Sequence, residues 1–200
     1  FQRAAKLACA QTACRSRGAS TTSQLTSPAH CVRVASLATC RLMALHRIGR
    51  REPASDFVGM LLECHERIRS FAALACRLAK ATDAPAAHIV DAAEGVRRYF
   101  SEALPLHVED EERTVEPRLR GLEPDLDLAL DRMQAEHAEH APYLAELIAI
   151  VSAIEKQPAQ HGALAAELEH VATTLSEQFA SHLGHEETIV LPAIGRLLSV

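Results

Sequence analysis

The sequence predicts an all-α protein, an up-down-up-down four-helix bundle with a disordered N-terminal segment, on three observations. Its 200 residues are 48% hydrophobic but only 4% aromatic, with Ala and Leu abundant, a balance that favours helices over sheets. From residue 55 onward apolar residues recur every three or four positions, the period of one helix face. Short polar stretches, "TDAP" (82–85), "RGLEP" (120–124) and "KQPAQHG" (156–162), cut that period into four runs. The division expected is a leader over 1–52 and a bundle over 53–200.

The leader differs in composition from the rest of the chain. Residues 1–51 hold nine Lys and Arg and no Asp or Glu, whereas the remainder carries 12 basic against 26 acidic residues. A basic, Ser-rich, acid-free stretch resembles an organellar transit peptide. The preferred reading is instead mistranslated upstream sequence, with Met43 as the true start and disorder throughout. Its four cysteines (Cys9, Cys14, Cys31, Cys40) match no zinc spacing. The acidic body argues against nucleic acid or an anionic membrane as partner, and no apolar run approaches the roughly 18 residues of a span. Cys64 and Cys76 fall too far apart on one helix to join, and read as reduced thiols of a cytoplasmic protein.

Ser55 is the expected N-cap of the first helix, whose inner stripe reads Val58, Leu61, His65, Ile68, Ala72, Ala75. The second gives Ile89, Ala93, Val96, Phe100, Leu104, His107, Glu111, Val115 and is expected to be ended by Pro117 and the "RGLEP" stretch (120–124). The third runs Leu126, Leu130, Met133, His137, His140, Leu144, Leu147, Val151, Ile154. The fourth runs Leu164, Leu168, Val171, Leu175, Phe179, His182, Glu186, Val190. Pro105 and Pro142 fall inside helices and predict local kinks near the polar positions.

Every stripe seats at least one histidine where packing would favour Leu, and two seat a glutamate as well. A carboxylate without a partner in an apolar core costs several kcal/mol, so these groups need something to satisfy them together. Divalent cations do so. Neutral imidazole and ionised carboxylate suit iron, with manganese or zinc as alternatives. His107/Glu111 and His182/Glu186 are each one turn apart on one face, within reach of a common metal. Taken singly, His65 reads as a hydrogen-bonded core residue; beside two such pairs it reads as a ligand. Glu112 and Glu187 lie one position off the face, as solvated groups or outer partners. His88, His161, His170 and His185 read as surface histidines, and Tyr143 either orients a ligand or packs.

The two pairs belong to a repeated phrase. "HVEDEERTVEP" (107–117) and "HLGHEETIVLP" (182–192) share His, Glu-Glu, Val and Pro at the same offsets. With His65 ahead of the first and His137 between the two, the pattern resembles the hemerythrin-like family, the HHE cation-binding domain, over about residues 55–195. The resemblance implies a metal centre in the bundle core: two non-haem iron ions, bridged by Glu111 and Glu186 and capped by His65, His107, His137 and His182. His140 is the alternative ligand on the third helix, because it keeps to His182 the 42-residue spacing of His65 to His107. His137 is preferred, since it follows Met133 and Glu136 as in family members.

Oxygen-carrying hemerythrins are richer in histidine than this chain, so the resemblance implies the carboxylate-rich branch. The function expected is to bind, sense or react with a small diatomic ligand or peroxide (O2, NO, H2O2), or to handle iron in stress response. The rival is a non-catalytic bundle that stores or buffers iron or zinc.

Overall fold

The computed structural model describes residues 56–198. The leader over 1–52, Met43 and the expected cap Ser55 lie outside the described residues. Asp56 caps the first helix instead: its carboxylate accepts from the Gly59 amide at 2.6 Å, satisfying one of the free N–H groups of the first turn.

Four helical rods are present among the described residues. The first is α1 (Phe57–Lys80). The second is α2 (Ala86–Arg98), a π-turn (Tyr99–Ala103), α3 (Leu104–Asp110), a second π-turn (Glu111–Val115) and α4 (Glu116–Leu119). The third is α5 (Pro124–Lys156), and a single 3-10 turn (Pro158–Gln160) precedes the fourth. That fourth rod is α6 (His161–His185), a π-turn (Glu186–Val190) and α7 (Leu191–Leu197). Each rod touches its sequence neighbours, and the first also packs on the fourth. Neighbours run antiparallel: His65 meets His107 while Phe71 stacks on Tyr99, and His137 meets His182 while His140 meets Phe179. The up-down-up-down bundle expected from the short connections is what forms. Among the described residues no helix is long and apolar enough to cross a membrane.

Pro117 does not end the second rod, and Pro105 and Pro192 sit inside rods as well. All three share one device. A proline has no N–H, and in a regular turn its ring strikes the carbonyl four residues back. Here each proline stands six residues after the start of a π-turn, whose wider loop takes the strain. Amides of Leu104, Glu116 and Leu191 bond five residues back, to the carbonyls of Tyr99, Glu111 and Glu186. Pro142 instead lies within α5 with no such turn. The second rod ends at Leu119, and Gly121 (φ +81°) makes the corner. The Gly121 amide donates to Asp127 Oδ1 at 2.8 Å, and Arg120 ties Glu116 to Asp131.

The core is in two parts. The larger cluster runs from Ile68 and Leu104 through Leu147 to Phe179 and Leu183. The smaller holds Leu61, Val115, Leu130, Met133 and Val190. On every rod the stripe histidines and glutamates fall between the two, so the bundle carries one polar layer across an otherwise apolar interior. His161, expected at the surface, is buried (2% exposed) because its Nε2–H donates to the Leu78 carbonyl at 2.8 Å. His170 is exposed, while His88 and His185 are half-buried.

Replacing Gly121 with Ala forces a side chain into the left-handed region. The expected loss is about 1 kcal/mol in urea unfolding, with the distant polar layer intact.

Candidate metal centre

The polar layer gathers six of the seven residues singled out from the sequence into two groups. One is His65, His107, Glu111 and Glu186; the other is Glu111, His137, His182 and Glu186. In each group the donor atoms lie within 4.8 Å of one another, and both glutamates belong to both groups. Glu111 turns Oε1 to His107 Nε2 (3.0 Å) and Oε2 to His137 Nε2 (3.4 Å). Glu186 turns Oε2 to His65 Nε2 and Oε1 to His182 Nε2, each at 3.2 Å. Each carboxylate thus gives one oxygen to each histidine pair.

These contacts are close, yet they do not satisfy the atoms. The Nε2 atoms of His65, His107 and His137 are buried without a hydrogen-bond partner among the described residues, and so are Glu111 Oε2 and both oxygens of Glu186. Unmatched donors and acceptors buried together are costly, and a divalent cation in each group removes the cost for all of them. Two imidazoles and two carboxylate oxygens per group form a donor set suited to iron, manganese or zinc. The residues fit the metals that the donor chemistry implies.

The outer faces of the imidazoles are held as well. His65 Nδ1 donates to Glu187 Oε1 at 2.9 Å, and Arg69 grips that oxygen at 2.9 Å. His137 Nδ1 donates to Glu112 Oε1 at 3.2 Å. His182 Nδ1 donates to Glu136 Oε2 at 2.8 Å, and Arg132 holds Oε1 at 2.7 Å. The double Glu of the repeated phrase now has a reason. The first Glu points inward, and the second reaches back to the lone histidine of a neighbouring rod. Sequence reasoning places Glu112 and Glu187 off the face but gives Glu136 no such role. The available signal was Arg132 four residues ahead of it, with His137 one residue after.

His140 stands apart. It is buried, but it is in neither group; its ring lies 5.0 Å from Phe179 and 5.1 Å from His182. Three residues beyond His137, it faces the larger apolar cluster instead of the carboxylates. Burial and the neighbouring His182 and His137 push its pKa down to about 4, so it is neutral at physiological pH. With His107, His137 and His182 it lines a cavity of about 250 Å³, otherwise walled by Ile68, Phe100, Leu104, Pro105, Val108, Ala141, Leu144 and Phe179. Tyr143 packs against the larger cluster.

Without a cation the layer balances its own charge. Burial works against a charged His65, but Glu111 and Glu186 prevail and raise its pKa to about 9. His107 is likewise raised, against burial, chiefly by Glu111. Burial would raise Glu111, yet His107, His137 and His65 hold it well below the usual carboxylate range. A raised histidine stabilises the fold below its unfolded pKa near 6.5, and that contribution is lost as pH climbs through about 9.

Metal-free protein should therefore lose stability between about pH 6.5 and 9, while metal affinity rises over the same window because the cation displaces protons. A pH-stat titration with Zn(II) at pH 7.5 checks this, and uptake with no proton release would refute it. A second expectation concerns Glu187. Glu187→Gln should weaken metal binding by roughly tenfold and leave the helical circular dichroism unchanged, as read by competition with a chelator.

No curated protein and no solved structure matches the chain, but the family model for the hemerythrin HHE cation-binding domain matches residues 56–194. Those bounds enclose all four rods up to Ile194 and every residue of the two groups. With the shared carboxylates and the unmatched inward atoms, the match shows that this cation-binding bundle belongs to the hemerythrin HHE family.

Proposed function

We propose that the centre holds two iron ions and that a small diatomic molecule or peroxide reaches them through the adjoining cavity. The observation that carries this reading is the sharing of Glu111 and Glu186 between two histidine pairs. His65 and His107 would hold one ion, His137 and His182 the other, and each glutamate would span both. Ferrous ions so held supply electrons and an open coordination position to a bound ligand.

What the chain contributes is binding and exclusion. The apolar wall of Ile68, Phe100, Leu104, Leu144 and Phe179 gives the inner faces of His107, His137 and His182 a largely apolar surround. His140 makes no hydrogen bond among the described residues and remains neutral, so its ring N–H is free for a ligand seated in the cavity. Glu136, Glu112 and Glu187 fix the imidazole rings and raise their strength as donors. A bundle built only for storing or buffering iron or zinc has no need of such a cavity, which favours the ligand-binding reading over storage. The reading keeps the protein in the cytoplasm, consistent with the unpaired Cys64 and Cys76, and links it to oxygen, nitric oxide or peroxide stress.

The full chain, loaded anaerobically with Fe(II) and then exposed to air, should retain about two irons and develop near-ultraviolet and visible absorption. Glu186→Ala and His137→Ala should abolish both signals. His140→Leu should keep the iron and alter only the spectral change on adding nitric oxide. Iron at background level in the wild type would overturn the proposal.

A further inference from the structure

The centre has an approximate two-fold relation that exchanges the first rod with the third and the second with the fourth. His65 answers to His137, His107 to His182, Glu111 to Glu186 and Glu112 to Glu187. The outer bonds obey it: Glu187 holds His65 as Glu112 holds His137. The bond from His182 to Glu136 has no such counterpart. Glu136 immediately precedes His137, and the residue that immediately precedes His65 is Cys64.

The packing puts that thiol where the relation requires it. Phe71, two turns after Cys64, stacks on Tyr99 with ring centres 4.1 Å apart. Tyr99 lies eight residues before His107, and the π-turn Tyr99–Ala103 supplies the extra residue that makes eight residues span about two turns. Two turns along both antiparallel rods, Cys64 therefore stands against His107, within hydrogen-bonding reach of its ring. The His107 side chain is only 6% exposed, and its Nδ1 makes no hydrogen bond among the described residues, which leaves the thiol as the polar group beside it.

We infer that Cys64 is the positioning partner of His107 and that its thiol, standing where the other three histidines have a carboxylate, makes the His65/His107 position the weaker of the two metal positions. A thiol is a weak acceptor, whereas a carboxylate forms a charge-assisted bond of about twice the strength. An imidazole bonded to a carboxylate is a more basic ligand, and losing such a partner lowers metal affinity by roughly 10–100-fold. The pairing of Cys64 with His107 needs no metal; the inequality of the two positions rests on the two-metal reading above.

The test is anaerobic release of Fe(II) from the loaded full chain to a colorimetric chelator, after the iron content has been measured. Wild type should release its iron in two phases of similar amplitude, about tenfold apart in rate. Cys64→Glu should slow the fast phase toward the slow one. Cys64→Ala should speed it, with Cys64→Ser between, and Glu136→Ala should speed the slow phase instead. Two phases that ignore every Cys64 variant, or one phase in the wild type, would overturn the inequality. The pairing has its own readout in metal-free protein: the His107 Nδ1–H proton resonance should move upfield in Cys64→Ala and recover in Cys64→Ser. A resonance that stays fixed would overturn the pairing even where iron binds normally. Absence of iron with a responsive resonance would sink the two-metal reading and spare the pairing.

Discussion

Glu111 and Glu186 sit 3% and 1% exposed between two apolar clusters, and the arrangement of the remaining residues comes from giving their carboxylates partners there. An isolated carboxylate at that depth would take up a proton or pull the bundle open. These two are not isolated: four imidazoles from four rods converge on them at 3.0–3.4 Å. The layer works as a unit. Each carboxylate is shared by two histidine pairs, so no single rod can shift without unbalancing both. Four rods that meet elsewhere through interchangeable apolar contacts are put in register here by charge.

The backbone makes that convergence possible. Glu111 and Glu186 are each the first residue of a π-turn, and a proline stands six residues beyond each. The wider turn changes the direction in which the next side chains leave the rod. Glu111 can thus face the core while Glu112, its neighbour, reaches sideways to His137. Glu186 and Glu187 repeat the arrangement toward His65. The carboxylates outside the histidines are themselves held in part by arginines, Arg69 on Glu187 and Arg132 on Glu136. From the centre outward, buried carboxylate meets imidazole, three of the four imidazoles meet an outer carboxylate, and two of those carboxylates meet a guanidinium, each group orienting the one inside it.

The cavity beside the layer explains why the third rod carries two inward histidines. His137 joins one of the two His/Glu groups, while His140, one turn further into the apolar cluster, lines open space with Phe179 and Leu144. Burial and the neighbouring His182 and His137 outweigh Glu136 and keep His140 neutral, whereas His65, also buried but facing two carboxylates, is pushed the opposite way. One residue type, buried in one bundle, is thus set to two protonation states by its immediate neighbours.

The helical period, the four stripes and the His-x-x-x-Glu phrases were legible in the sequence because they depend on local spacing: a side chain's face is set by its neighbours three and four residues away. So were the six residues of the two groups, each of which sits in a stripe. Four features needed the folded chain. Pro117 read, with the "RGLEP" stretch, as a stop because proline breaks a regular turn; instead the π-turn Glu111–Val115 accommodates it and the rod runs on to Leu119. His161 read as a surface residue because its acceptor, the Leu78 carbonyl, is 83 positions away. That His137 and not His140 falls within a His/Glu group depends on where the carboxylates of other rods lie. Glu136 and Cys64 acquired partners only when the third rod met the fourth and the first met the second. The sequence by itself determined which residues face inward, since that is periodicity within one helix. Which of them meet, and through which atoms, was decided by tertiary structure, because contacts between rods depend on register and turn width that no single stripe contains.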